Sequence, residues 1–177
     1  MFSSILQKIT SNLNDNLKLR FNLNRDLVRI QAIDSEDNEG YIGVSILNIE
    51  RDTSAGISFQ KREVSLDFSS RSNPNWQINF YILIAAVFPK KKYAESLKLL
   101  GEILRTIQAN HVLVFEEFGL RYSVEPMNLS FAELSNIWSI CGGAYQPSIV
   151  CKIRSIEIDG GSIIQFDPSV KNREIEL

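Results

Sequence analysis

The chain has 177 residues, of which 44% are hydrophobic and 23% charged, and its net charge is −2. This composition excludes an intrinsically disordered chain, and the scattered basic residues argue against a dedicated nucleic-acid binder. The length predicts one domain with its own hydrophobic core.

The sequence also predicts where the chain is made. Its first ten residues lack the basic start of a signal peptide. The longest apolar run, Ile78–Phe88, is interrupted by Asn79 and is shorter than the roughly 20 residues that span a membrane, so we expect no direct membrane contact. Cys141 and Cys151 are expected to be reduced. We therefore expect a soluble chain that is made in the cytoplasm.

The N-terminal third begins with helical periodicity. Apolar residues recur three or four positions apart and predict an amphipathic helix of about five turns; they are Phe2, Ile5, Leu6, Ile9, Leu13, Leu17 and Phe21. Strands are predicted at Leu27–Ile33 and Ile42–Glu50, on either side of the acidic turn Asp34–Gly40.

Residues 51–75 are the least regular part of the chain. Ile57 and Phe59, and then Val64, Leu66 and Phe68, alternate with polar residues and make a protruding hairpin possible, with Gln60–Glu63 between its strands and Ser69–Asn75 as a loop. Long excursions from compact domains are often functional, so an interface and simple loop solvation both stay open. The basic residues that would serve such an interface are Arg51, Lys61, Arg62 and Arg71.

A central strand and a second helix follow. Trp76, Ile78, Phe80, Ile82 and Ile84 share one face, while the other face becomes apolar at Leu83 and Ala85, which predicts a central strand whose end is covered on both sides. Pro89 introduces a helix, whose predicted buried stripe is Tyr93, Leu97, Leu100, Ile103, Leu104 and Ile107. The cluster Lys90, Lys91 and Lys92 opens this helix, and we favour a solubilising role over a contact for an acidic partner.

The last part of the domain has the clearest start and end signals for its elements. After an irregular segment, Leu120, Tyr122 and Val124 alternate as a strand. Ser130 and Glu133 predict a capping box, and Gly142 or Gly143 a helix end. A final strand is predicted at Ser148–Ile156. We expect a domain over residues 1–158 and a tail over 159–177 that contains the β-prone run Ser162–Phe166.

The order of elements predicts an α+β fold. Long helices alternate irregularly with strands, which is typical of a two-layer domain with a mostly antiparallel or mixed sheet and helices mainly on one face.

Residues for catalysis are scarce. The single histidine, His111, follows a helix, where an exposed or capping role is favoured over catalysis. The two cysteines are ten residues apart and do not form a metal or redox motif. Asp34–Gly40 departs from a calcium loop because Glu39 stands where glycine is required. We therefore predict no active site, no metal and no cofactor.

The amino-acid sequence of the last helix and strand resembles that of a known family. The segment beginning at Asn128 reads N-L-S-x-x-E-L-x-x-I-W-S, and from Gly142 the chain continues as G-x-x-Y-x-P-S-I-V-x-K-I-R. These motifs are similar to those of the cap, or tube-terminator, family of contractile injection systems, which are phage-tail-like devices. Further similar segments occur in the same order and extend the resemblance over residues 1–158; they read F-S-S-I-L-Q-K-I-T-S-N-L-N-D-N-L, V-S-I-L-N-I-E-R-D, W-Q-I-N-F-Y-I-L-I-A-A-V-F and Y-A-E-S-L-K-L-L-G-E-I-L-R-T-I-Q.

The resemblance implies a structural role and a fold like that of phage tail terminators. Such proteins are expected to form a ring, with six copies, at the end distal to the baseplate of a phage-tail-like particle. The resemblance implies assembly of this particle in the bacterial cytoplasm, and whether the particle is then released stays open. The ring ends the inner tube and joins the last sheath layer, so the expected partners are other copies, the tube protein and the sheath protein.

The tail is the candidate for strand exchange in such an assembly. We expect Ile163, Ile164 and Phe166 to pair with a sheath or cap neighbour, although a tail folded back on its own domain stays open. Two other functions also stay open: a terminator of a true bacteriophage tail, and a small-molecule-binding or catalytic α+β domain.

Overall fold

The computed structural model describes residues 2–33, 40–53, 61–63, 69–71, 77–115, 120–142 and 144–156. Within them lie three α-helices: α1 (Phe2–Phe21), α2 (Tyr93–Ala109) and α3 (Phe131–Ile140). A short 3-10 turn, Lys90–Lys92, precedes α2. The strands are β1 (Val28–Ile30), β2 (Tyr41–Arg51), β3 (Lys61–Glu63), β4 (Ser69–Arg71), β5 (Ile78–Val87), β6 (Val112–Phe115), β7 (Leu120–Pro126) and β8 (Ser148–Ile156).

Six of these strands form one mixed sheet in the order β1-β2-β5-β8-β7-β6. β1 and β2 are parallel, and every other neighbouring pair is antiparallel. The prediction that β5 is central is therefore confirmed. β3 and β4 pair separately as a two-stranded antiparallel sheet.

The larger core lies between one face of the sheet and helices α1 and α2. Apolar side chains of α1 and α2 meet those of the central strands there, and the ring of Phe2 packs edge-on against Phe80 with centroids 5.2 Å apart. The residues that form the centre of this core are Ile5, Ile9, Leu17, Ile82, Ile84, Ile103 and Ile153. This burial against a sheet stabilises α1 far more than its intrinsic propensity does.

A second, smaller core lies on the opposite face of the sheet. Trp138 of α3 packs with Leu83, Ala85 and Val150. Leu83 and Ala85 are fully buried, which confirms that this end of β5 is covered on both faces. Two helices cover one face and α3 covers part of the other, so the α+β fold with helices mainly on one face is confirmed.

Helix α3 has the predicted ends. The Ser130 hydroxyl accepts a hydrogen bond from the backbone N–H of Glu133, and the Glu133 carboxylate accepts one from the backbone N–H of Ser130. Beyond the helix, Gly142 has φ of +96°, a conformation that glycine adopts without strain. The predicted capping box and glycine stop are confirmed.

Some element boundaries differ from the prediction. Lys61–Glu63 was predicted to lie between two strands and Ser69–Arg71 within a loop, but these two segments are themselves the paired strands of the hairpin. The predicted apolar runs at 57–59 and 64–68 lie outside the described residues. Val112–Phe115 was predicted to be irregular, yet it pairs with β7 along its whole length.

The buried face of α2 is also rotated from the prediction. Tyr93, Leu97 and Leu104 are 53%, 45% and 42% exposed. Ser96 and Thr106 are buried instead, because their hydroxyls donate to helix carbonyls 2.7 and 2.9 Å away and so need no other partner.

Asn14 joins α1 to the outer edge of β1. Its Oδ1 accepts from the backbone N–H groups of Leu27 and Val28 at 3.0 and 2.9 Å, and its Nδ2 donates to the Val28 carbonyl at 2.9 Å. Asn14 is buried, so the amide replaces a neighbouring strand at this point.

We predict that Asn14→Ala destabilises the chain by about 2–4 kcal/mol, because it leaves buried backbone groups of β1 without partners. Urea unfolding measures this free energy. Asn16→Ala is the control, since the Asn16 amide bonds only within α1, to Asn12. Equal small losses in both variants would show that the Asn14 contacts do not hold β1.

Candidate assembly interface

The segment that carries the hairpin leaves the sheet at the end of β2 and returns to it at the start of β5. The backbone N–H of Asp52 donates to the carbonyl of Gln77 at 2.8 Å, directly after Arg51. In the hairpin beyond, Lys61 and Arg71 occupy opposite register positions, and Arg62 lies opposite Ser70. Three of the four predicted basic residues therefore lie on one small hairpin.

The other predicted basic cluster opens α2. Lys90 and Lys91 are exposed in the 3-10 turn, and Lys92 is the N-cap residue without a side-chain cap bond. Glu95 is the acidic residue of the first turn. Cations at a helix N-terminus oppose the helix dipole, so Lys90 and Lys91 stand in a mildly unfavourable place.

The structure places Arg51 and the cluster at the start of α2 far apart. Lys90 follows the end of β5, where Val87 pairs with Tyr41, whereas Arg51 pairs with Ile78 at the other end of the same two strands. β2 has 11 residues and therefore spans about 35 Å. Arg51 and Lys90 thus lie at opposite ends of the β2–β5 pair.

The predicted tail residues Ile163, Ile164 and Phe166 lie outside the described residues. The acidic turn lies there too, apart from Gly40.

The outer surface of α2 was not predicted from the sequence, because the predicted stripe assigned its apolar residues to the core. Tyr93, Leu97 and Leu104 form an exposed apolar row there. Next to Leu104, a groove of about 570 Å³ lies between α2 and the end of β7, lined in part by Gly101, His111 and Pro126. A Cβ added at Gly101 would meet no atom within 4 Å, so the helix is open at this position.

The half of the second sheet face that does not pack against α3 is polar. Tyr81 donates its hydroxyl to Glu50 Oε1 at 2.6 Å, and Lys152 Nζ lies 3.1 Å from the same oxygen and 5.3 Å from the centre of the Tyr81 ring. The hydrogen bond from Tyr81, followed by that from Lys152, holds the pKa of Glu50 below its usual value. Tyr81 of β5 pairs directly with Lys152 of β8, whereas Glu50 of β2 pairs with Asn79 and so lies diagonal to Tyr81. Only the sheet pairing brings these three residues together.

Helix α3 presents large apolar side chains to solvent as well. Phe131 and Ile140 are almost fully exposed at its two ends, and Tyr145, whose ring contacts Trp138 edge-on, is more than half exposed. A sequence signal existed, because apolar residues occur on more than one side of this short helix. Such exposed patches are typical of protein–protein contact sites.

The described part of the chain offers little for catalysis. It contains no group of three or more His, Cys, Asp or Glu residues that could hold a metal ion. Burial raises the pKa of the Cys151 thiol to about 12, which keeps it protonated and unreactive. His111 is exposed directly after α2 and lines the groove. Within the same described ranges, no helix is long and apolar enough to cross a membrane.

Comparison with known families gives one match over nearly the whole chain. The model of the Pvc16 N-terminal domain matches residues 5–172. The chain belongs to the Pvc16 N-terminal domain family. This confirms the family resemblance drawn from the motifs of the last helix and strand. No curated protein sequence matched the chain.

Two solved structures share the fold of this Pvc16 N-terminal domain. A sheath/tube terminator of PVC, an extracellular contractile injection system, in its extended state is 16% identical, with a TM-score of 0.56 over 94% of this chain and 62% of its own. The tube-terminating cap of the anti-feeding prophage is 15% identical, with a TM-score of 0.51 over 93% of this chain and 60% of its own. The chain thus spans about three fifths of the length of these proteins.

We predict that Tyr81→Phe raises the pKa of Glu50 towards its usual value, because it removes the hydrogen bond that lowers this pKa most. A lowered folded-state pKa contributes stability above the unfolded-state pKa that is lost as pH falls through the folded one. The variant should therefore have less of this stability at neutral pH and should lose less of it on acidification. Carboxyl NMR titration measures the pKa. Tyr93→Phe is the control, since Tyr93 is exposed on the outer surface of α2; an unchanged Glu50 pKa in Tyr81→Phe would refute the assignment.

Proposed function

We propose that this chain is the structural cap of a contractile injection system, a ring that ends the inner tube and sheath at the end distal to the baseplate. The observation that carries the proposal is the family match over residues 5–172. It is supported by the fold shared with two terminators of such systems. The particle would be extracellular, like the injection system that contains the PVC terminator.

The role needs no catalysis. A terminator acts by presenting surfaces that match the tube, the sheath and the neighbouring copies. The described residues fit this role, since their notable side chains are exposed apolar or charged groups rather than a cluster of reactive ones. We propose that the protein is not an enzyme and binds no cofactor.

We propose a closed ring, with six copies, in which each subunit uses unlike surfaces. The apolar row of α2 and the exposed ends of α3 lie on opposite faces of the sheet. A head-to-tail contact between unlike surfaces generates a ring if the rotation closes, whereas a two-fold contact stops at a dimer. Each subunit thus carries two apolar surfaces on opposite faces of its sheet. A ring would place the α2 surface of one copy against the α3 surface of the next.

We propose the two basic clusters as contacts for acidic patches on the tube or sheath. Three basic residues of the first cluster lie on one hairpin, in which Lys61 and Arg71 occupy opposite register positions. Lys90 and Lys91 of the second oppose the dipole of α2. The second arrangement would be favoured when a negatively charged partner is bound.

Deletion of the gene tests the proposed role. We expect particles with tubes of uneven length and with sheaths detached at the distal end, as measured by electron microscopy. Restoration by a plasmid copy is the control for effects on neighbouring genes. Uniform tubes with intact distal ends in the deletion strain would rule out a terminator.

We predict that Lys90→Glu with Lys91→Glu leaves the stability of the isolated chain unchanged or raises it by up to about 1 kcal/mol, because acidic groups suit a helix N-terminus. The same variant should fail to restore capping in the deletion strain. Thermal unfolding and particle micrographs give the two readouts. Lys98→Glu, an exposed change on the middle of α2, is the control. Full restoration by the double variant would exclude this cluster as a contact.

A further inference from the structure

The two edges of the six-stranded sheet differ in how their backbone groups are used. At the β1 edge, Val28 points its N–H and carbonyl away from β2, and the Asn14 amide bonds both. A strand cannot add there without displacing a buried side chain. Among the described strands of this sheet, β6 is the other edge.

Part of the β6 backbone faces outward. The N–H of Val124 donates to the carbonyl of His111 at 2.8 Å, and these residues continue the β6–β7 register. Hydrogen-bonded pairs alternate in an antiparallel ladder, so Leu113 and Phe115 bond to β7 while Val112 and Val114 direct their backbone groups to the free edge. The ammonium of Lys8, an exposed residue of α1, donates to the Val114 carbonyl, as expected if that group faces outward.

The side chains of β6 are apolar on both faces. Leu113 is buried, and Phe115 packs against the same core and edge-on against Tyr122 at 5.7 Å. Val112 and Val114 are each 37% exposed on the other face. An edge strand of this kind promotes aggregation unless something covers it.

The chain leaves the described structure close to this edge. Ile156, the last residue of β8, pairs with Arg121, and Arg121 pairs with Val114. A strand added outside β6 would lie three strand spacings, about 14 Å, from β8. Five residues, 157–161, separate Ile156 from Ser162, and six residue steps reach up to about 20 Å.

We propose that Ser162–Phe166 adds to β6 of the same chain as a seventh, antiparallel strand. β6 runs parallel to β8, because both are antiparallel to β7, so a chain that turns back at Gly160 and Gly161 arrives in the antiparallel direction. The run is apolar on both sides, with Ile163 on one and Ile164 and Phe166 on the other, which matches the two apolar faces of β6.

Residues 157–161 tether the segment Ser162–Phe166 to β8, and this tether favours pairing within one chain over pairing with a strand of another molecule. A short linker gives an effective concentration in the millimolar range, far above that of a second copy in dilute solution. The proposal concerns the isolated chain and does not depend on the role of the protein in a particle.

Amide hydrogen exchange of the isolated full chain, followed by NMR, tests the proposal. The amides of Val112 and Val114 should exchange at least about tenfold more slowly in the full chain than in Ile164→Pro, because proline cannot donate a strand hydrogen bond and disturbs the pairing. The Leu113 amide, which bonds β7, should stay protected in both and reports that the domain is folded. Asn172→Pro, outside the run, is the matched control and should leave Val112 and Val114 protected.

The outcomes distinguish three possible occupants of the β6 edge, namely the chain's own segment, a second copy and a different protein. Rapid exchange of Val112 and Val114 in the full chain at all concentrations would overturn the proposal and leave the edge to a different protein. Protection that rises with protein concentration would overturn it in favour of a second copy. Protection that is independent of concentration and lost in Ile164→Pro would support pairing within one chain.

Discussion

The burial of β5 on both faces is the constraint on which the rest of the structure depends. One face needs α1 and α2 to cover Phe80, Ile82 and Ile84, and the other needs α3 to cover Leu83 and Ala85. The strand also pairs on both sides, with β2 and β8, so most of its backbone groups are satisfied within the sheet. Removing either helical layer would expose a strand that has almost no polar side chains in its second half.

The polar end of β5 shows where this constraint stops. From Leu83 towards Ile78, the residues that face the α3 side change to Tyr81 and Asn79, and α3 no longer covers them. Tyr81 bonds Glu50, and the Asn79 amide donates to Asp52 at 3.0 Å. One face of the sheet is thus divided into an apolar half that α3 covers and a polar half in which Asn79 is buried and Tyr81 is half-buried.

Local signals in the sequence predicted much of the fold. Helix α1, the capped helix α3 and strand β8 follow from periodicity and end signals that neighbouring residues supply. The helical face of α2 did not follow, because the burial of Ser96 and Thr106 depends on hydroxyl bonds that no apolar pattern encodes. β6 was missed because a four-residue apolar run carries no periodicity of its own.

The candidate interface was predictable only in part, for a similar reason. The basic residues can be read directly, but the length of β2 separates Arg51 from Lys90, and that separation follows from a pairing between distant segments. The exposed row of α2 became visible only once the helix was oriented on the sheet. The signals that start and end the helices are local in sequence, whereas surfaces that could bind partners arise from long-range packing.

The distribution of these surfaces bears on how copies of the domain can assemble. A two-fold contact through the α2 N-terminus would place Lys90 and Lys91 of one copy against the same residues of another, which like-charge repulsion opposes. A contact between the α2 side of one copy and the α3 side of the next avoids this repulsion and buries apolar residues from both. Such a contact is heterologous and is compatible with the proposed ring, in which the basic groups would face other proteins.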